Sequence, residues 1–113
     1  MDKVTRYQQI IIEEMELIAS RRAVNMPEVE HQMVVDEKRK HFIMVATGWN
    51  EEEYVHDWIF HLQIKDGKIL IHEEAIDPDV HERLTNRGIP AKDIAPIGLP
   101  DYDWEEEENA VIA

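Results

Sequence analysis

Residues 54–73 read Tyr-Val-His-Asp-Trp-Ile-Phe-His-Leu-Gln-Ile-Lys-Asp-Gly-Lys-Ile-Leu-Ile-His-Glu. Asp66-Gly67 sits between two runs rich in β-branched and aromatic residues. In that setting Asp-Gly marks a two-residue hairpin loop, because a type I′ turn needs positive φ at both central positions. Counting outward sets the register: Lys65 opposes Lys68, Ile64 opposes Ile69, Leu62 opposes Ile71 and Phe60 opposes Glu73. Trp58, Phe60, Leu62, Ile64, Ile69 and Ile71 then share one face, which is the predicted core face. On the other face Gln63 opposes Leu70 and His61 opposes His72, with Ile59 and Val55 beside them. That mixed face is the candidate interface, formed by Ile59, His61, Gln63, Leu70 and His72. By the same alternation His56 and His61, five residues apart, point to opposite faces.

Upstream, Val4, Tyr7, Ile11, Met15 and Ile18 recur at three- and four-residue steps, which predicts a helix from Asp2 to about Ala19. Asp2 caps its start, and Arg21 and Arg22 suit its C-terminal end. Its polar face carries Glu13, Glu14 and Glu16, which fits a core helix rather than a membrane-surface one. Asn25-Met26-Pro27 ends the helix. Val29, His31, Met33 and Val35 alternate as a first strand, Glu37 to Lys40 is a charged turn, and Phe42 to Trp49 is a second strand. Downstream, Asp77 and Pro78 open a short helix carrying Val80 and Leu84, and Gly88 closes it. Residues 90–94 read as a single turn, and Pro96, Gly98 and Pro100 mark an irregular segment. Asn109 to Ala113 would pack as a short terminal strand. The predicted fold is one α+β domain over residues 1–113. An N-terminal helix packs on a four-stranded antiparallel meander, followed by a short helix and an irregular C-terminal segment.

Charge and composition narrow the function. With 25 acidic and 12 basic side chains the formal net charge is −13. That balance opposes binding to phosphate backbones or anionic membranes and is compatible with basic protein partners, although acidity usually serves solubility. There is no cysteine, hence no disulfide, thiol nucleophile or zinc thiolate site. No apolar run approaches the ~20 residues that span a bilayer, and no signal segment opens the chain. A cytoplasmic protein is the simplest expectation. Among six histidines, His61 and His72 lie side by side in the inferred register, and with Glu73 or Glu74 they form a candidate metal-dependent site. The plainer reading is two polar side chains on a wet or interfacial sheet face, since no third ligand is fixed. No His-Glu-x-x-His motif, phosphate-binding glycine loop or nucleophile–base pair is present. The residues therefore predict no catalytic group, no cofactor and no metal.

Several blocks resemble one small cyanobacterial family. They are Glu30 to Trp49 with Asp36, His41 and Gly48-Trp49, then His61 to Ile69, then Gly88-Ile89-Pro90-Ala91-Lys92-Asp93-Ile94, and the closing Ala110-Val111-Ile112-Ala113. The opening helix, with Tyr7 and Ile10-Ile11, is similar too. In order and spacing the set resembles XisI, the fdxN element excision controlling factor. The chain departs from the family pattern at residues 70–76 and in the acidic stretch Asp101 to Glu108. The resemblance implies a non-catalytic controlling factor associated with site-specific excision of a DNA element during heterocyst development. It implies a partner too, XisH, which looks nuclease-like in fold, while a separate recombinase performs the strand chemistry. An acidic DNA mimic acting on that nuclease-like partner is a further alternative. The mixed sheet face also predicts a twofold homodimer, weakening between about pH 7 and pH 5.5 as its histidines gain charge.

Overall fold

A computed structural model describes residues 2–21, 27–74 and 79–96. In chain order the elements are α1 (Lys3–Ala19), β1 (Val29–Asp36), β2 (His41–Asn50), β3 (Glu53–Lys65), β4 (Lys68–Glu74), α2 (Val80–Asn86), a 3₁₀ turn (Ala91–Asp93) and β5 (Ile94–Pro96). The five strands form one sheet in the order β1-β2-β3-β4-β5. The first four make the antiparallel meander expected from their short links. The fifth is an addition: Ile94, the end of the predicted turn, and the two residues after it run parallel to β4, pairing Ile69 with Ile94.

Helix α1 begins where the Asp2 carboxylate accepts the Thr5 amide at 2.8 Å. It buries Tyr7, Ile10, Ile11, Met15 and Ile18 against the sheet. From the strands Phe42, Met44, Phe60, Leu62, Ile64, Ile69 and Ile71 meet them, and α2 adds Val80 and Leu84. Asp79, not Asp77, caps α2: its carboxylate accepts the Glu82 amide at 3.0 Å, three residues on. Asp77 and Pro78 lie outside the described residues, as do Asp101 to Glu108 and Asn109 to Ala113. Gly88, at φ +95°, ends α2 with its amide on the Thr85 carbonyl, and the Ile89 amide reaches Leu84. This paired arrangement satisfies the last carbonyls of the helix and folds Ile89 onto Leu84 in the core.

Polar contacts lock the helical layer. Glu14, largely buried, accepts from Arg83 at 3.1 Å and from Arg87 at 2.8 Å, tying α1 to α2. The Tyr7 hydroxyl donates to Asp93 at 2.5 Å, and Lys3 lies 3.1 Å from the same carboxylate. Both contacts pin the chain around the start of β5 to α1.

Candidate functional site

The hairpin tip matches its turn chemistry: Asp66 and Gly67 have φ of 54° and 76°, and Lys65 opposes Lys68. Ile64 opposes Ile69 and Leu62 opposes Ile71, as counted. Beyond Leu62 a bulge on β4 shifts the pairing, so that His61 opposes Glu73 and Phe60 opposes Glu74. The extra residue is His72. A second irregularity lies on β3, where Met44 opposes Phe60 but Val45 opposes Trp58, so Ile59 is the residue left over. An extra residue reverses the alternation for everything beyond it.

That reversal corrects three expectations. Trp58 does not join the core; it lies on the outer face and is 49% exposed. Ile59, expected at the interface, instead packs partly buried against the core cluster. His56 opposes Thr47 and His61 opposes Ile43, residues on the same side of β2, so the two histidines share the outer face. Leu70 is on that face too but is only 3% exposed, pairing with Ala95 of β5.

The outer face has two halves. On one, three histidines cross three strands. His41 Nδ1 and His61 Nε2 are 3.0 Å apart, and the His61 and His72 ring centroids are 4.6 Å apart. His72 Nε2 donates to the Gln63 side-chain oxygen at 2.8 Å, since an amide oxygen can only accept. Of the expected residues, His61, Gln63 and His72 are thus brought together. Burial, then the nearby charge of His72 and His41, pushes the His61 pKa down. Burial, then His41 and Lys65, lowers that of His72. Both shifts favour the neutral forms of His61 and His72 near pH 7. The His41–His61 bond needs one ring to donate and the other to accept, which a second proton would abolish. Among the described residues, no three His, Asp or Glu side chains stand where they could hold a metal ion.

The other half is an aromatic row on the long β2–β3 arm. Trp49 and Tyr54 meet edge to face at 5.2 Å, and Tyr54 stacks on His56 at 6.4 Å. The Tyr54 and Thr47 hydroxyls are 3.2 Å apart. Trp58 joins the halves, its ring 6.0 Å from that of His61. Val34 of β1, opposite Ile43, belongs to the same face. Five large hydrophobic side chains are exposed among the described residues, and Val34, Trp49, Tyr54 and Trp58 lie on this face; the fifth, Leu17, is on α1. Sequence reasoning missed His41 and the aromatic row. The signal for His41 was the β2–β3 register, which no short turn motif fixes.

Among the described residues no helix is long and apolar enough to cross a membrane. No curated protein matches the chain. A crystal structure of a XisI-like protein from Anabaena variabilis is similar, with TM-score 0.71 and 29% identity over 82% of this chain and 84% of that one. A crystal structure of fdxN element excision controlling factor XisI from the same organism has TM-score 0.64 and 29% identity over 84% and 86%. The family described as XisI protein matches residues 1–106. The match spans the opening helix, the whole sheet and the Gly88–Ile94 block, and by it this chain belongs to the XisI family.

Proposed function

We propose that this chain is a non-catalytic regulatory factor that acts by binding a partner protein through the outer face of its sheet. The regulatory role rests on likeness to the protein named an excision controlling factor. The observation that carries the binding role is the outer face itself. Helix α1 covers one side of the sheet, while the other presents four of the five exposed large hydrophobics among the described residues beside a histidine row. A surface of mixed aromatic and polar character is what non-obligate interfaces carry, and an apolar patch of this kind marks an interaction site. The histidine row offers hydrogen-bonding groups at its centre, including Gln63 and His72.

The partner we propose is an XisH-like protein. Co-expression with such a protein from the same genome, followed by affinity purification at low and moderate salt, tests the reading. Co-purification is expected. Substituting His61 and Gln63 together by Ala should weaken it, because the hydrogen-bonding groups of the contact are lost. Failure of the two proteins to co-purify at either salt would refute the reading.

A further inference from the structure

The aromatic half of the outer face has a charge environment of its own. From Ala46 to Gln63 the sequence contains Glu51, Glu52, Glu53 and Asp57, and no Lys or Arg. Of those acids Glu51 and Glu52 form the turn at the tip of the β2–β3 arm, next in the chain to the strand ends that carry the Trp49–Tyr54 pair, while Glu53, opposite Asn50, and Asp57, opposite Ala46, alternate to the other face. The rings are held in place before any ligand arrives: Tyr54 touches Trp49, His56 and the Thr47 hydroxyl. Trp49 and Tyr54 are nonetheless 58% and 53% exposed.

We propose that this arm docks an arginine-bearing segment of a partner protein; this rests on the reading that the chain acts by binding one. Fixed, exposed aromatic faces beside carboxylates suit guanidinium better than any other side chain. Its plane stacks on a ring, and its fork of N–H donors reaches an adjacent carboxylate. A lysine ammonium offers the charge without the plane. Charge selects among possible occupants. A second copy of this chain brings a formal charge of −13, and residues 101–108 bring six acids and no base, so neither complements the arm. Nucleic acid is excluded by the same sign.

The test uses the full chain and three synthetic peptides of alternating Gly with Arg, Lys or citrulline, titrated by calorimetry at low and moderate salt. The Arg peptide is expected to bind about tenfold more tightly than the Lys peptide of equal charge, and citrulline not to bind. Trp49→Ser with Tyr54→Ser should weaken the Arg peptide about tenfold or more. Leu17→Ser, on the opposite side of the molecule, should leave it unchanged. Circular dichroism and melting confirm that each variant is folded. A single Trp49→Leu variant, which keeps an apolar side chain without the ring, serves if the double variant fails to fold. Equal binding of Arg and Lys peptides would reduce the effect to net charge and overturn the proposal, as would absence of binding or full retention in the folded variants. A double variant that turns a dimer into a monomer would assign the arm to self-association and overturn it too. Binding of the Arg peptide without capture of an XisH-like protein would sink that partner and leave the arm's chemistry standing. Capture unaffected by Trp49→Ser and Tyr54→Ser would do the reverse.

Discussion

Replacing Tyr7 by Phe removes one oxygen from the packed interior and changes nothing else in shape. The hydroxyl donates to Asp93 at 2.5 Å, and Asp93 has Lys3 as its other partner at 3.1 Å. A hydrogen bond to a charged group contributes about 1.5–3 kcal/mol net. Because Lys3 remains beside the carboxylate, Tyr7→Phe should cost about 2 kcal/mol rather than the upper value. Unfolding entropy of about 2.1 cal/mol/K per residue converts this into a Tm lowered by roughly 8 °C for a chain of this length. The pH dependence identifies the bond. Asp93 is held below the usual carboxylate range by Tyr7 first and Lys3 second, so its contribution is present above its unfolded pKa of 3.8 and lost as pH falls through its folded value. The gap between wild type and Tyr7→Phe should therefore close in acid. At the alkaline end Tyr7 is pushed up from 10.0 to about 12, chiefly by burial and then by Asp93. The folded chain keeps that proton longer than the unfolded one, so wild type loses stability between those values and Tyr7→Phe lacks that loss. Urea unfolding at several pH values measures all of this. A cost below about 0.5 kcal/mol at neutral pH, or a gap that persists unchanged in acid, would refute the reasoning.

Two further outcomes are expected. Gly48 has φ of +147°, and a Cβ there would meet the Glu28 carbonyl oxygen at 2.5 Å and the Val29 Cα at 3.0 Å. Gly48→Ala should cost about 2 kcal/mol or more, read by urea unfolding, and a neutral result would mean that β1 can move away freely. The histidine row should make both stability and self-association fall with acid. The His61 and His72 pKa values are depressed, so the unfolded chain protonates first, below its 6.5, and stability is lost from there down through the folded values. A dimer built on the same face, which we propose for the isolated chain through its histidine half, should weaken over that window. Sedimentation of wild type and His61→Gln from pH 7.5 to 5 decides it: a monomer at neutral pH removes the dimer, and a dimer indifferent to pH removes the role of the histidines.

What was legible in the sequence was whatever local chemistry determines. Asp66-Gly67 set its turn and the first pairs beyond it, Asp2 its cap, Gly88 its helix end, and the three- and four-residue spacing of Tyr7, Ile11, Met15 and Ile18 set the buried face of α1. Bulges were illegible because a period of two carries no mark of one extra residue. One fell inside an apolar-rich run, where Ile59 and Trp58 serve either face equally well by composition, and the other at His72, where the apolar run gives way to Glu73 and Glu74. Asp79 displaced Asp77 as the α2 cap because two aspartates two positions apart present the same signal. The strand β5 is too short to show alternation and ends in Pro96, and its place depends on a parallel partner. Tyr7 and Asp93, 86 positions apart, both fall within blocks of family resemblance, yet no rule of spacing joins them. For the site, Gln63, His61 and His72 were within reach of the hairpin count, whereas His41 and the aromatic row required the β2–β3 register.

The bulge at Ile59 explains why the outer face exists as one surface. Under strict alternation from His61, Tyr54, His56 and Trp58 would turn to the side occupied by Phe60 and Leu62. The aromatic row would then stand on the opposite side of the sheet from the histidines. One extra residue instead lets Ile59 pack against the core while Trp58 turns outward to within 6.0 Å of His61. The main core cluster therefore ends at the bulge, with only Ala46 and Val29 among the described residues buried on the inner face beyond it. Past it, the β2–β3 arm extends with Trp49 and Tyr54 paired across its strands and largely open to solvent. An arm that carries its aromatic side chains outward adds little to the core it leaves. The same register shift places the histidine row and the arm on one face, where the partner proposed above would meet both.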